Sequence, residues 1–287
     1  MLLNGRDRPE VRALDKVALW RRLVGEFVGA AALAAVVIGS GIAAQQLSPG
    51  AIGLELLESA LVTGAGLFVI TLIFAPVSGA HLNPVVSIVD TALGHSSWSD
   101  TVLYVPTQFA GCIGGAVLAN LMFSKAAVSI SVHRRASGAH FLSEVVATLG
   151  LVLVIFALAR TGRGRLVPAA VGAYIAAAYF FTSSTSFANP AITAGRMFSN
   201  TFAGIAPGSV LVFIAAQVVG GALGFGIVRA LYPQAVAEQG RRSEQIGDRT
   251  LEDIGKEVGA LPGSGNGVPI GARPTAEPGW MTDGPIG

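Results

Sequence analysis

Charged residues are scarce in this 287-residue sequence, since Asp, Glu, Lys and Arg make up 13% of it, against about 25% in soluble domains. Of the 36 charged residues, 14 lie between positions 23 and 232. The single cysteine, Cys112, excludes an intramolecular disulfide framework and any site built from several cysteines. A net charge of +2 gives no argument for nucleic-acid binding. The middle of the chain is therefore predicted to lie in a lipid bilayer.

Six apolar stretches are long enough, or nearly long enough, to cross a membrane. A bilayer core about 30 Å thick requires about 20 mostly apolar helical residues. The predicted spans are 20–44, 54–76, 99–123, 140–160, 166–182 and 207–231. The fifth span is the shortest and has Pro168 near its start, where a helix tolerates proline. The sequence therefore predicts an all-α, multi-pass membrane protein.

Two further apolar segments, 83–92 and 189–198, are about half as long as a span, and each begins with Asn-Pro. Asparagine is a strong helix N-cap, and proline suits the first helical turn. Each segment is therefore predicted to be a re-entrant half-helix. Irregular backbone at membrane depth needs protein or a water-filled cavity to satisfy its polar groups. Two such breaks indicate a polar path through the protein.

Three features of the first half of the chain recur in the second half, at separations of 118, 106 and 109 residues. They are Glu26 and Glu144, Asn83-Pro84 and Asn189-Pro190, and the pattern Gln-x-x-Gly-x-x-x-Gly at 108–115 and 217–224. The predicted halves are 20–123 and 140–231. Because each half has an odd number of spans, the halves must have opposite orientations in the membrane. The predicted fold is six transmembrane helices plus two re-entrant half-helices in an inverted three-span repeat.

Lysine and arginine are distributed unequally between the two predicted sides of the membrane. With both termini inside, 15 of the 19 Lys and Arg residues are cytoplasmic, and the exceptions are Lys125, Arg134, Arg135 and Arg196. Cytoplasmic loops carry the excess of these residues. The sequence therefore predicts cytoplasmic termini and a location in the plasma or inner membrane.

The composition divides the chain into three segments. Residues 1–19 are predicted to form a cytoplasmic N-terminal segment, 20–231 the membrane-spanning domain, and 232–287 a disordered cytoplasmic tail rich in Pro, Gly and charge. Within the tail, 243–261 is either a transient solvated helix or an amphipathic helix that lies on the membrane or on a partner.

Residues 78–85 (SGAHLNPV) and 187–191 (FANPA) resemble the paired Asn-Pro-Ala motifs of the aquaporin, or major intrinsic protein, family, and the resemblance extends over about residues 20–231. It implies half-helices that meet at the midplane, a pore in every protomer and a homotetramer. The positive N-termini of the half-helices would disfavour cations and protons there. Val85 replaces the usual alanine and either narrows the pore or changes only the packing. The implied pore centre comprises Asn83, Pro84, Val85, Asn189, Pro190 and Ala191.

Three ionisable residues are assigned to the support of the re-entrant loops. Glu26 and Glu144 lie inside spans, where a carboxylate is costly unless it faces protein or a polar cavity. As acceptors they would satisfy backbone donors of the two loops, which agrees with the role that the resemblance implies. The alternative role, a proton relay, lacks further acids or histidines well inside a span. His81 either forms a structural hydrogen bond in its loop or senses cytoplasmic pH.

The second motif departs from the pattern of water-selective family members, in which an arginine follows it directly and narrows the pore. Ile192 occupies that position. Carried over by their distance from the motifs, the other filter positions are Thr63, Ala177 (with Tyr179 as the alternative) and Ser186. Arg196 lies one helical turn beyond Ile192 and is assigned either to the outer vestibule or to the C-terminal end of the half-helix. Bacterial aquaporin-like channels associated with arsenic resistance share this displaced arginine.

The resemblance implies a passive channel for small uncharged solutes, such as glycerol-like polyols and arsenous acid, with exclusion of protons and ions. Water is a further candidate solute. A strict water channel is one alternative, and a secondary transporter, which also uses inverted repeats, is another. The sequence offers no nucleophile–base pair for an enzyme and no ligand spacing for a metal. No cofactor is expected, and the expected partners are the lipid bilayer, small neutral solutes and further copies of the chain.

Overall fold

The computed structural model describes residues 17–232, in which every regular element is helical. The α-helices are α1 (Leu19–Leu47), α2 (Ile52–Ser78), α3 (Pro84–Ala92), α4 (Trp98–Met122), α5 (Gly138–Arg160), α6 (Val167–Phe181), α7 (Pro190–Gly195) and α8 (Pro207–Leu231). Two 3-10 turns, Gly164–Leu166 and Arg196–Phe198, precede α6 and follow α7. Residues 1–16 and the tail from 233 onward, including the predicted segment 243–261, lie outside the described residues.

Six of these helices are long and apolar enough to cross a membrane, which confirms the predicted all-α membrane fold. They are α1, α2, α4, α5, α6 with its preceding turn, and α8. The remaining helices, α3 and α7, start at Pro84 and Pro190 and are the two short half-helices. The α-helical part of the second one stops at Gly195, because the last three residues of the predicted segment form a 3-10 turn.

The contacts between helices follow the sequence repeat. In the first half α1 packs against α2 and α4, and in the second half α5 packs in the same way against α6 and α8. The halves meet where α2 contacts α6, and each half-helix contacts both α4 and α8. The two half-helices also contact each other. This arrangement holds both Asn-Pro turns between the third spans of the two halves.

Glycines set the closest approach within each half. A Cβ at Gly111 would lie 2.5 Å from the carbonyl oxygen of Phe27, and one at Gly115 would overlap the backbone of Ala31. In the second half, a Cβ at Gly224 would lie 2.8 Å from Val152. Small residues at four-residue spacing let membrane helices pack closely. The repeated Gly-x-x-x-Gly pattern therefore joins α1 to α4 and α5 to α8 within one chain.

We expect Gly115→Val to prevent stable folding, because its side chain must displace backbone rather than a flexible neighbour. Overpacking costs about 1–3 kcal/mol in ordinary cores and more where backbone is in the way. The measurement is the yield and thermal midpoint of the detergent-solubilised protein. Gly114→Val is the matched control, since the nearest atom to a Cβ there is 3.9 Å away, on Phe27. Equal yields and midpoints for the two variants would contradict the prediction.

Candidate functional site

The two Asn-Pro turns are joined by a reciprocal pair of hydrogen bonds. Asn83 caps α3 by accepting from the backbone N–H of Val85 at 3.0 Å, and its Nδ2 donates to the carbonyl of Ala188 at 2.8 Å. Asn189 caps α7 by accepting from Ala191 at 2.9 Å, and its Nδ2 donates to the carbonyl of Leu82 at 2.7 Å. Each amide therefore caps its own half-helix and binds the loop that precedes the other one.

A buried glutamate holds each re-entrant loop. Both oxygens of Glu26 accept hydrogen bonds, from four donors in all, and Glu144 is bound in the same way by the equivalent groups of the second half. The donors to Glu26 are Ser78 Oγ, the backbone N–H groups of His81 and Leu82, and Gln108 Nε2. The donors to Glu144 are Ser184 Oγ, the backbone N–H groups of Phe187 and Ala188, and Gln217 Nε2.

The backbone of these loops explains why carboxylates are placed there. Leu82 and Ala188, each just before a capping asparagine, have φ angles of +50° and +48°, in the left-handed region. Alternation between right- and left-handed conformations aims successive N–H groups at one point and forms a concave anion site. Each glutamate fills such a site. The glutamate oxygens thus satisfy backbone donors that would otherwise be unpaired inside the membrane.

A cavity of about 890 Å³ is lined by both asparagines and by residues near both ends of the helix bundle. One end contains Asp90, at the C-terminal end of α3, and we call it the Asp90 end; the opposite one, beyond α7, is the Arg196 end.

The other four residues predicted at the pore centre do not line the cavity. Pro84, Val85, Pro190 and Ala191 are buried behind the asparagines, and a Cβ at Gly221 of α8 would contact Val85. The packing interpretation of Val85 is therefore favoured.

Three of the four predicted filter residues line the Arg196 end, namely Thr63, Ser186 and Ile192. Ala177 does not, because it lies on the exposed face of α6. The buried face of that helix includes Ile175, Ala178 and Tyr179, at helical spacing. Tyr179, the alternative, lines the cavity, and its hydroxyl lies 3.2 Å from Thr63 Oγ1.

Arg196 also lines the cavity, and its side chain is 3% exposed. Its guanidinium carbon lies 3.4 Å from the ring centroid of Phe187, an arrangement in which cation and aromatic face attract each other. Its Nε donates to the carbonyl of Ala203. The arginine is thus in the cavity wall, beside the loop that carries Ser186, rather than free beyond the mouth.

The Asp90 end carries an acidic and imidazole cluster. Asp90 lies 3.0 Å from Nδ1 of His95 and 3.6 Å from Nε2 of His81. Ser87 Oγ accepts from Gln108 and lies 3.1 Å from Nδ1 of His81. The two ring nitrogens of His81 therefore face a hydroxyl and a carboxylate, Ser87 on one side and Asp90 on the other. His81 therefore lines the cavity as well as joining its loop to α1 through Glu26.

Sequence reasoning missed several of these contacts, although the repeat contained a signal for them. His81 and Phe187 are 106 residues apart, as are Asp90 and Arg196, which is the separation of the two asparagines. The equivalent pairs contact each other at the two ends, one as imidazole and carboxylate, the other as aromatic ring and guanidinium. The serines bound to the glutamates, Ser78 and Ser184, also occupy equivalent positions by this separation.

Six spans, two half-helices that meet end to end, and a cavity between them define the class of this protein as a membrane channel. A family model described as Major intrinsic protein matches residues 13–187, more than half of the chain. The chain is 44% identical over 222 residues to aquaglyceroporin AqpS of Rhizobium meliloti, covering 77% of this chain and 94% of that protein. It is 30% identical over 272 residues to the glycerol uptake facilitator protein of Pseudomonas aeruginosa, covering 80% and 96%.

A solved structure of the aquaglyceroporin from Plasmodium falciparum has the same fold. Its TM-score is 0.60 at 22% sequence identity, over 76% of this chain and 99% of that one. The chain belongs to the major intrinsic protein family. It is a channel and not an enzyme.

Proposed function

We propose that this chain conducts small uncharged, hydroxyl-bearing solutes passively through the cavity between its two halves. The observation that carries the proposal is the crossed asparagine pair, Asn83 and Asn189, whose amides lie in the cavity wall where two half-helix N-termini converge. Each Nδ2 has two protons and donates one to a backbone carbonyl of the opposite loop, so the second proton is available to a passing oxygen. The positive helix ends disfavour cations at the same place.

The Arg196 end supports a solute wider than water. Ile192 contributes an apolar wall where an arginine would take up space and bind water strongly, while Ser186, Thr63 and Tyr179 contribute hydroxyls. A surface with one apolar side and one polar side fits a polyol, whose carbons and hydroxyls lie on different edges. The relatives named aquaglyceroporin and glycerol uptake facilitator agree with this class. Arsenous acid, an uncharged trihydroxy compound, belongs to it by the same chemistry.

The membrane arrangement is part of the proposal. The Asp90 end lies at the side where α1 begins and α8 ends, which is the side predicted from the sequence to carry 15 of the 19 Lys and Arg residues. By the positive-inside rule this side is cytoplasmic. We propose a channel domain at 20–231 with both termini in the cytoplasm, in the plasma or inner membrane, assembled as a homotetramer with a conducting path in every protomer.

The test of the proposal is a permeability panel in proteoliposomes, measured by stopped-flow light scattering for water, glycerol and urea and by uptake for arsenous acid. We expect glycerol and arsenous acid to permeate well above protein-free vesicles. A protein that conducts water and excludes both larger solutes would be a strict water channel, and the proposed solute class would then be wrong.

We also expect glycerol flux to be independent of imposed pH and sodium gradients. Glu26 and Glu144, the carboxylates that hold the re-entrant loops, are each bound by four donors of the protein, so both are committed to the scaffold rather than to a coupling ion. Radiolabelled glycerol uptake, with and without each gradient, measures this. Accumulation above the external glycerol concentration would favour the secondary transporter.

A further inference from the structure

A second arginine, Arg135, reaches the Arg196 end from the connection between α4 and α5. Its Nε donates to the carbonyl of Gly204 at 3.0 Å and its Nη2 to the carbonyl of Phe202 at 3.1 Å. The carbonyl between them, of Ala203, accepts from Nε of Arg196. Three consecutive carbonyls are therefore bound by two arginines in alternation, which fixes the two side chains relative to each other.

The same two guanidinium groups also share one aromatic ring. Their central carbons lie 3.4 Å (Arg196) and 5.4 Å (Arg135) from the centroid of Phe187. Phe187 itself packs edge-on against the fully buried Phe213, with ring centroids 5.0 Å apart. Since the ring is held by its own neighbour, it is a fixed support for both cations.

Within the described residues, Glu144 attracts both guanidinium groups from a distance, but no acid is directly paired with either of them. At the other end, the equivalent position holds an acid, Asp90. Burial lowers the pKa of Arg135 from its ordinary value, but arginine starts so far above neutrality that it remains charged. The backbone carbonyls solvate the pair without neutralising it.

Free hydrogen-bond donors beside the pair face the cavity. Within the described residues, the two Nη atoms of Arg196 donate to no protein group, and Arg196 lines the cavity. Ser186, also in the lining, is 3% exposed and its buried Oγ has no hydrogen-bond partner. An unpaired polar group in this environment is costly unless a solute or water binds it. The Nη atoms of Arg196 thus form a donor-rich recess for an oxygen-bearing solute, with the unpaired hydroxyl of Ser186 buried beside it.

We infer that Arg135 is a specificity-determining positioning residue, which holds Arg196 against Phe187 so that the pair supplies the charge and donors absent at Ile192. The inference rests on the proposed function. Arg135 does not line the cavity and acts through the carbonyls of 202–204 and through the ring. The recess then selects uncharged solutes with several oxygen acceptors, while the double positive charge excludes cations.

The experiment compares Arg135→Gln, Arg135→Lys and Arg134→Gln in proteoliposomes at matched protein density. Arg134 is the neighbouring arginine and is exposed, so its replacement removes the same charge without these contacts. We expect Arg135→Gln to lower the glycerol-to-water permeability ratio by about threefold, the scale of one hydrogen bond, and to raise potassium leak. Arg134→Gln should leave both values at those of the parent.

Arg135→Lys separates geometry from charge. Lysine keeps the positive charge but lacks the planar fork that binds the carbonyls on both sides of Ala203. We therefore expect a reduced permeability ratio with potassium exclusion retained, a combination that a merely structural role would not produce. Equal ratios for Arg135→Gln and Arg134→Gln would overturn the inference. A parent protein that conducts no glycerol would instead refute the proposed function, so the two failures are distinguishable.

Discussion

Replacing Asn189 with aspartate should lower glycerol permeability at least about tenfold and allow cations to leak. The substitution keeps the Oδ1 acceptor that caps α7 but removes the Nδ2 donor to the carbonyl of Leu82. A carboxylate oxygen would then face that carbonyl oxygen at hydrogen-bond distance. Leaving a buried acceptor unpaired costs about 1–3 kcal/mol, and each 1.4 kcal/mol corresponds to a factor of about ten. The negative charge would also offset the positive half-helix ends.

The measurements are stopped-flow glycerol permeability and potassium flux on the same vesicles. Asn200→Asp is the control, because Asn200 is exposed and uses its Oδ1 as an acceptor, from Val132 at 3.2 Å, so the identical change keeps the bond. If Asn189→Asp inserts normally and conducts glycerol like the control, the crossed pair is not the centre of the path.

The inverted repeat explains why one sequence builds two ends of different character. The scaffold groups are kept in both halves, with a glutamate, a serine, a glutamine and an asparagine in the same hydrogen-bonded roles. The residues that face the cavity differ, since His81 and Asp90 at one end correspond to Phe187 and Arg196 at the other. The repeat thus provides a common frame, and the different residues at two equivalent positions give each end of the cavity its own charge.

The sequence predicted the architecture well because hydrophobic length and Asn-Pro caps are local signals. Six apolar runs and two short segments are sufficient to place the helices, and the starts of α3 and α7 follow from proline chemistry at Pro84 and Pro190. The role of the glutamates was also accessible, since a carboxylate in a span demands donors. Each of these features is predicted from residues that lie within one or two helical turns of one another in the sequence.

The filter was harder to predict because it depends on helix rotation and on contacts between distant segments. A shift of two residues along α6 exchanges the exposed Ala177 for the buried Tyr179, and distance from a motif cannot resolve such a shift. The support of Arg196 by Phe187 and the 202–204 carbonyls requires the fold of two loops. The sequence identifies Arg135 only as one of the four Lys and Arg residues on the predicted outer side of the membrane.

Ile192→Arg should lower glycerol and arsenous acid permeability by a larger factor than water permeability. Ile192 is 3% exposed and lines the cavity with Ser186 and Tyr179, so a longer side chain there must project into the path. It would add five N–H donors and a permanent charge, next to the existing charge of Arg196. Single-file water passes a narrow polar neck more readily than a polyol does, and we expect the solute-to-water ratio to fall about tenfold or more, a change of about 1.4 kcal/mol in the relative barriers.

Two matched variants separate size, charge and position in this test. Ile192→Leu keeps the volume and apolar character, so its ratio should stay near that of the parent. Arg196→Ala removes the charge one turn away and should change the ratio less than Ile192→Arg, because Arg196 is already held against Phe187 at the wall. An unchanged ratio in Ile192→Arg, measured at equal protein density, would place the narrowest part of the path away from Ile192. A fall of equal size in Ile192→Leu would mean that packing around α7, rather than an added guanidinium, controls the filter.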